Sequence, residues 1–460
     1  MILKRIYGSR RKNTRVSLVV GLLSLAGVFL LVSPAQAAET ILASTNMLVS
    51  KNTVNGYGGD GNSQLLATSE DGNFVLMKTS ATDLGTTGGS GVPMLKNISA
   101  DTIARVDTST SGVLANDKTI ATGLSRTGRY VLMMSLATNL IDGTTTVLNS
   151  GQYHMYVKDM QTGVMEKISI AETSVPSGSG VSPLAISDDG RFAVFYTKYA
   201  DHYVPGLRTG YRDLVLLDRA TGDWKLVNAP ASGSLQNIDT FALDGNKAMS
   251  CDGSFVVFES AATNLVSGYS GSGKHIYLAD LRNGLKITDI TAGATADSFN
   301  AVISCNGRYA TFWTLDRTFV SPTPAGLDTN AHVVRYDRLT GDRLYADSLS
   351  NGSFNPGLTT SHSWSPVSDK GDVILQAKLY AGGTSYMPWF FLKHFSDGSG
   401  TLEHIQKKAS GGEYWYDLSE GTPAISANGK YLLYRSSHTQ STGLTPSANN
   451  GDVVRAQTGL

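Results

Sequence analysis

A Ser-x-x-Gly turn leading into an apolar strand recurs seven times along this chain, and nothing else in the sequence constrains the fold as strongly. The copies are Ser69-Glu-Asp-Gly72, Ser125-Arg-Thr-Gly128, Ser187-Asp-Asp-Gly190, Ser250-Cys-Asp-Gly253, Ser304-Cys-Asn-Gly307, Ser368-Asp-Lys-Gly371 and Ser426-Ala-Asn-Gly429. Successive copies stand 56, 62, 63, 54, 64 and 58 residues apart. Turn chemistry at a fixed phase and a regular period marks a repeat architecture, in which each unit buries its apolar faces against its neighbours.

Each unit reads as four strands. The first leads to the turn, as in Pro183-Leu-Ala-Ile-Ser187. The second follows it, as in Arg191-Phe-Ala-Val-Phe and Ser254-Phe-Val-Val-Phe. Short β-branched and aromatic runs bounded by Gly are buried strands rather than helices. The third carries a recurring Asp, as in His154-Met-Tyr-Val-Lys-Asp159 and Asp213-Leu-Val-Leu-Leu-Asp218, and it stops at a Gly hairpin signal such as Gly163 or Gly222. The fourth is exemplified by Trp224-Lys-Leu-Val. Four antiparallel strands in each of seven units predict an all-β, seven-bladed β-propeller. The last unit ends after a third-type strand, residues 452–457, while residues 39–44 read as a fourth-type strand. Residues 40–44 are therefore expected to pair with residues 453–456, completing the last blade and removing two open edges.

The first residues read as an address. Lys4, Arg5, Arg10, Arg11, Lys12 and Arg15 precede an apolar run over 16–32, and Ala35-Gln-Ala37 supplies a small-x-small cleavage pattern. Residues 1–37 are accordingly read as a signal peptide, and residues 38–460 as a single propeller domain. Asn13-Thr14 stand where a twin-arginine signal wants apolar residues, so ordinary secretion is expected. The mature product is expected to be soluble in the periplasm or outside the cell. Lys plus Arg number 38 and Asp plus Glu 38, so no basic excess exists for phosphate neutralisation and nucleic acid is not the expected partner.

The phrase Ser-x-Asp-Gly-Arg/Asn-Tyr/Phe-Val, then Ala-Thr-Asn-Leu, then Asp/His-x-Tyr-Val-x-Asp-x-x-Thr-Gly, resembles the TolB-type propeller repeat of bacterial exported proteins. Ala81-Thr-Asp-Leu84, Ala137-Thr-Asn-Leu140 and Ala262-Thr-Asn-Leu265 carry its middle part. The resemblance implies the fold and an envelope or exported setting. Some pectin-fragment lyases have similar propellers, but none of their metal-binding residues can be matched here.

Two nucleotide-like motifs fail on context. Gly56-Tyr-Gly58-Gly-Asp-Gly61 is followed by strand-like Gln64-Leu-Leu-Ala, and the Gly268–Lys274 loop is followed by His275 and a strand, whereas both motifs require a helix. No Gly-x-Ser-x-Gly elbow and no His-Glu-x-x-His pair occurs. His154, His275 and His332 share a repeat position with Asp213 and Asp452. Equivalent positions on different blades stand ~10 Å or more apart, beyond one metal's ligand sphere, so hydrogen bonding to the preceding loop is expected instead. Cys251 and Cys305 are repeat-equivalent as well. Export favours a disulfide, while inner turns ~7–10 Å apart oppose one, and the sequence leaves the pairing open.

The long connections, such as 198–212 and 321–331, all emerge on one face, and binding sites favour such loops on rigid scaffolds. There Trp364, Tyr414, Trp415 and Tyr416 are candidate ligand-stacking residues, with packing as their alternative use. The functional expectation is a non-enzymatic monomer that binds a protein or glycan through its loop face, with no cofactor, no metal and no catalytic residues assigned. A carbohydrate-active or peptide-cleaving enzyme on the same scaffold is the alternative.

Overall fold

In the computed structural model the described residues are 47–51, 59–86, 91–143, 151–170, 181–206, 211–230, 237, 240–241, 247–269, 273–321, 329–354, 358–360, 365–379, 387–396, 398, 400–404, 423–436 and 451–458. Their strands form four-stranded antiparallel sheets. Six sheets are runs of four consecutive strands, spanning 63–105, 119–167, 182–226, 240–289, 298–345 and 358–404. One further sheet is composite and has the spatial order Met47–Leu48, Asp452–Gln457, Tyr431–Ser436, Ala424–Ile425.

The expectation of seven four-stranded blades closed by residues 40–44 is corrected by this arrangement. Six blades are continuous. The closing sheet is pieced together from both ends of the domain, and its outer strands have two residues each. The closing pairs are Met47 with Arg455 and Leu48 with Val454, and residues 40–44 lie outside the described residues, as do residues 1–37.

The apolar second strands follow from the way the sheets stack. A strand sandwiched between two neighbours must be apolar on both faces, so its sequence runs without alternation. In the fourth blade, Phe255 and Val257 pack with Ala301 and Phe312 of the fifth. The intervening Val256 and Phe258 pack with Val194 and Leu216 of the third. Every apolar cluster among the described residues is drawn from two adjacent sheets in this way. The layer that includes Val49, Leu433 and Val453 with Leu65 and Val75 joins the composite sheet to the first blade, so the ring is closed by packing as well as by pairing. Each such side chain contributes roughly 1.5–3 kcal/mol on full burial.

The turns between first and second strands are held by their own side chains. Ser187 Oγ donates to Asp189 at 2.6 Å and accepts the Phe192 N–H at 2.8 Å. The same two bonds recur at Ser69, Ser250, Ser304 and Ser426. The Gly that ends each turn has positive φ, +72° at Gly190 for example, and each of six of these glycines lies against an aromatic ring of the preceding sheet. A Cβ on Gly128 would stand 2.3 Å from Phe74, and one on Gly190 2.7 Å from Tyr130. Gly72 meets Tyr431 in the same way across the closure of the ring.

Candidate functional site

The first strands alternate, and the turn Ser folds back into its own blade. Two residues per unit are thereby left facing inward, the one before the Ser and the one after it. The inner layer before the Ser is mostly apolar and includes Leu124, Ile186, Met249, Ile303, Val367 and Ile425. The residues after the Ser are Glu70, Arg126, Asp188, Cys251, Cys305, Asp369 and Ala427. All but Asp369 line one cavity of about 90 Å3 that draws on every sheet, which places it on the propeller axis.

Backbone bonds tie this ring together. The N–H of Glu70 donates to the Arg126 carbonyl at 2.9 Å, that of Asp188 to Cys251 at 2.7 Å, that of Cys251 to Cys305 at 2.8 Å, and that of Asp369 to Ala427 at 2.8 Å. Where this pattern lapses, carboxylates substitute. Asp188 accepts the Arg126 N–H at 2.7 Å and Asp369 accepts the Asn306 N–H at 2.8 Å. Side chains add a second layer of contact. Arg126 pairs with Glu70 and lies 3.3 Å from Asp188, and its Nη1 reaches Cys305 Sγ at 2.9 Å.

The recess is poorly solvated, and its ionisable groups respond accordingly. Burial pushes the Asp188 carboxyl up to about 6, against the pull of the Arg126 N–H and charge. Burial also pushes Asp369 upward. Lys247, deeper in the same cavity, is pushed down to about 7 by burial, and its ammonium lies 3.5 Å from the Pro423 carbonyl.

Cys251 and Cys305 are bonded, with Cα atoms 4.7 Å apart. The separation of ~7–10 Å expected for neighbouring inner turns is corrected, because the Cys251 N–H to Cys305 carbonyl bond draws these two turns together. Asp188 and the two sulfurs offer atoms within 4.8 Å of one another. A metal would require both sulfurs as thiolates, and here they are used in the S–S bond.

The shared His/Asp position has a packing role. His275 Nδ1 lies 2.7 Å from Asp289, His332 Nδ1 2.9 Å from Asp347, and His154 Nδ1 3.4 Å from Ser169. These partners stand at the end of the fourth strand, not in the preceding loop as expected. A polar side chain at that end also accepts the next N–H of the third strand: Ser169 from Met155 at 3.1 Å, Asn228 from Leu214 at 3.1 Å and Thr291 from Ile276 at 3.0 Å. In the composite sheet Ser50 takes this part, accepting the Val453 N–H at 3.0 Å and donating to Asp452 at 2.8 Å. Burial holds the His154 imidazole down at about 4, so it stays neutral at ordinary pH.

Trp364, Tyr414, Trp415 and Tyr416 lie outside the described residues. The axial ring was missed at the sequence level, although its signal was present. The second position of the turn holds four charged residues and both cysteines of the chain.

No family model matches the sequence, and no curated protein matches it. Among solved structures, TolB from Acinetobacter baumannii is similar at 16% identity, over 76% of this chain and 67% of that one, with a TM-score of 0.38. An oligogalacturonate lyase in complex with manganese is similar at 10% identity, over 90% of this chain and 97% of that one, with a TM-score of 0.50. The β-propeller domain of the Trilobed protease from Pyrococcus furiosus is similar at 10% identity, over 87% and 94%, with a TM-score of 0.45. The likeness to the lyase concerns the fold alone, a β-propeller.

Proposed function

We propose that the chain is an exported, non-enzymatic binding propeller, freed of residues 1–37, whose partner is a protein that sets a cationic side-chain tip or amino terminus over the axial mouth. The observation that supports this is the composition and size of the recess. Among the residues that follow the turn serines, Glu70, Asp188 and Asp369 outnumber Arg126, and the cavity of about 90 Å3 beside them suits one side-chain tip rather than a sugar chain. Most of its charges are already committed to one another, which suits recognition by surface complementarity more than turnover. No described helix is long and apolar enough to cross a membrane.

A peptide-cleaving or carbohydrate-active enzyme is the second reading. It is favoured by Asp188 near 6 and Lys247 near 7, since acid–base catalysts are tuned to such values.

The test is capture by the mature chain from a peptide array and a glycan array. A basic peptide whose binding weakens about tenfold in Asp369→Asn and falls with salt supports the proposal. A glycan bound equally well by both proteins, or a ligand that is turned over, overturns it.

A further inference from the structure

The disulfide at the axial mouth is asymmetric in its surroundings. Both cysteines are half-buried and line the recess, so a small thiol can reach them. Among the described residues only Cys305 is met by a guanidinium, Arg126 Nη1 at 2.9 Å from its Sγ. Arg126 is held at its Nε by Glu70 and, at 3.3 Å, by Asp188. A cation in contact with one sulfur stabilises the thiolate formed there, and a thiolate of lower pKa is the better leaving group in exchange. The carboxylates of Glu70 and Asp188 oppose this, but they spend their charge on Arg126 itself, whereas the guanidinium touches the sulfur directly.

We propose that Cys251–Cys305 is a thiol-exchange site, in which an incoming thiolate bonds to Sγ of Cys251 and Cys305 departs as a thiolate held by Arg126. The reactant is a low-molecular-weight thiol or a cysteine thiol of a partner. In the first step the R–S bond to Cys251 forms as the S–S bond breaks, and the electron pair goes to Cys305. A second thiolate then attacks the mixed disulfide. The net result is a Cys251/Cys305 dithiol and an oxidised R–S–S–R, a balanced two-electron exchange. The Cys251 N–H bond to the Cys305 carbonyl keeps the turns adjacent after cleavage, so re-oxidation needs no rearrangement of the blades. This inference stands independently of the binding reading.

The experiment treats the folded chain with glutathione without denaturant, blocks free thiols with iodoacetamide, and maps both adducts by peptide mass analysis. Glutathione is expected on Cys251 and the alkyl group on Cys305. Arg126→Gln is expected to slow cleavage by about three- to tenfold, and Arg126→Lys, which keeps the charge, to restore most of the rate. Glutathione on Cys305 or evenly on both sulfurs, an unchanged rate in Arg126→Gln, or a bond that reacts only after denaturation would each overturn the proposal. The position of the adduct in the unmodified protein decides the matter even if the Arg126 variants fold poorly.

Discussion

Single residues in this molecule act chiefly across the junction between sheets. Gly128 and Gly163 both hold positive φ, +73° and +77°, but only Gly128 faces a neighbour's ring, with Phe74 2.3 Å from where a Cβ would stand. Gly163→Ala is expected to cost about 1–2 kcal/mol of backbone strain. Gly128→Ala adds overpacking and should cost about 2–5 kcal/mol. Urea midpoints of the two variants at equal slope measure the difference. The turn chemistry of Ser, Asp and Gly was legible because its bonds close within five residues. The purpose of the aromatic after the turn was not, because Phe74 meets a glycine in the following repeat. Glu259 makes a second residue-scale case. It is buried, accepts the Asn300 N–H, and is pushed up to about 7 by burial. Its folded value lies above the unfolded value of 4.5. The native state therefore holds more protons than the unfolded chain between these values, and stability falls as pH rises from about 4.5 to about 7. Glu259→Gln keeps the acceptor and should flatten that decline, gaining about 3 kcal/mol at pH 8 relative to the parent. Melting curves from pH 4.5 to 8 follow both proteins.

At the scale of elements, the composite sheet and the disulfide carry the most consequence. Ser50 reproduces, with two hydrogen bonds, what a fourth strand supplies elsewhere. Ser50→Ala removes both bonds from a buried site and should cost about 2–3 kcal/mol, read by chemical denaturation. Cys251→Ser with Cys305→Ser opens a cross-link of sequence separation 54 and should cost about 2–4 kcal/mol. That the chain's N-terminal part completes the last sheet was legible from the missing fourth strand at the C-terminus. Its register was not, because a two-residue strand has no periodicity to read. The axial ring was hidden for a different reason. Each inward residue is a lone polar position in a variable turn, and only closure of the ring makes neighbours of Glu70, Arg126 and Asp188.

For the whole molecule, the core is a closed succession of layers, and removing one strand unmakes two of them. A chain ending at Gly451 loses residues 452–457, with Val453 from one layer and Val454 and Ala456 from another. It also bares the edges of Met47–Leu48 and Tyr431–Ser436. Such a chain is expected to aggregate and to be cleaved rapidly by protease, as size-exclusion chromatography and limited proteolysis would show.

The bond between Ser50 and Asp452 joins residues 402 positions apart. Contacts of such separation form late, after the entropy of the intervening loop has been spent on other structure. The segment around Ser50 is therefore without its partner until the rest of the ring is in place. Until strand 452–457 takes its place, the edges of Met47–Leu48 and Tyr431–Ser436 stay open to other strands and to proteases, and one late pairing closes both at once.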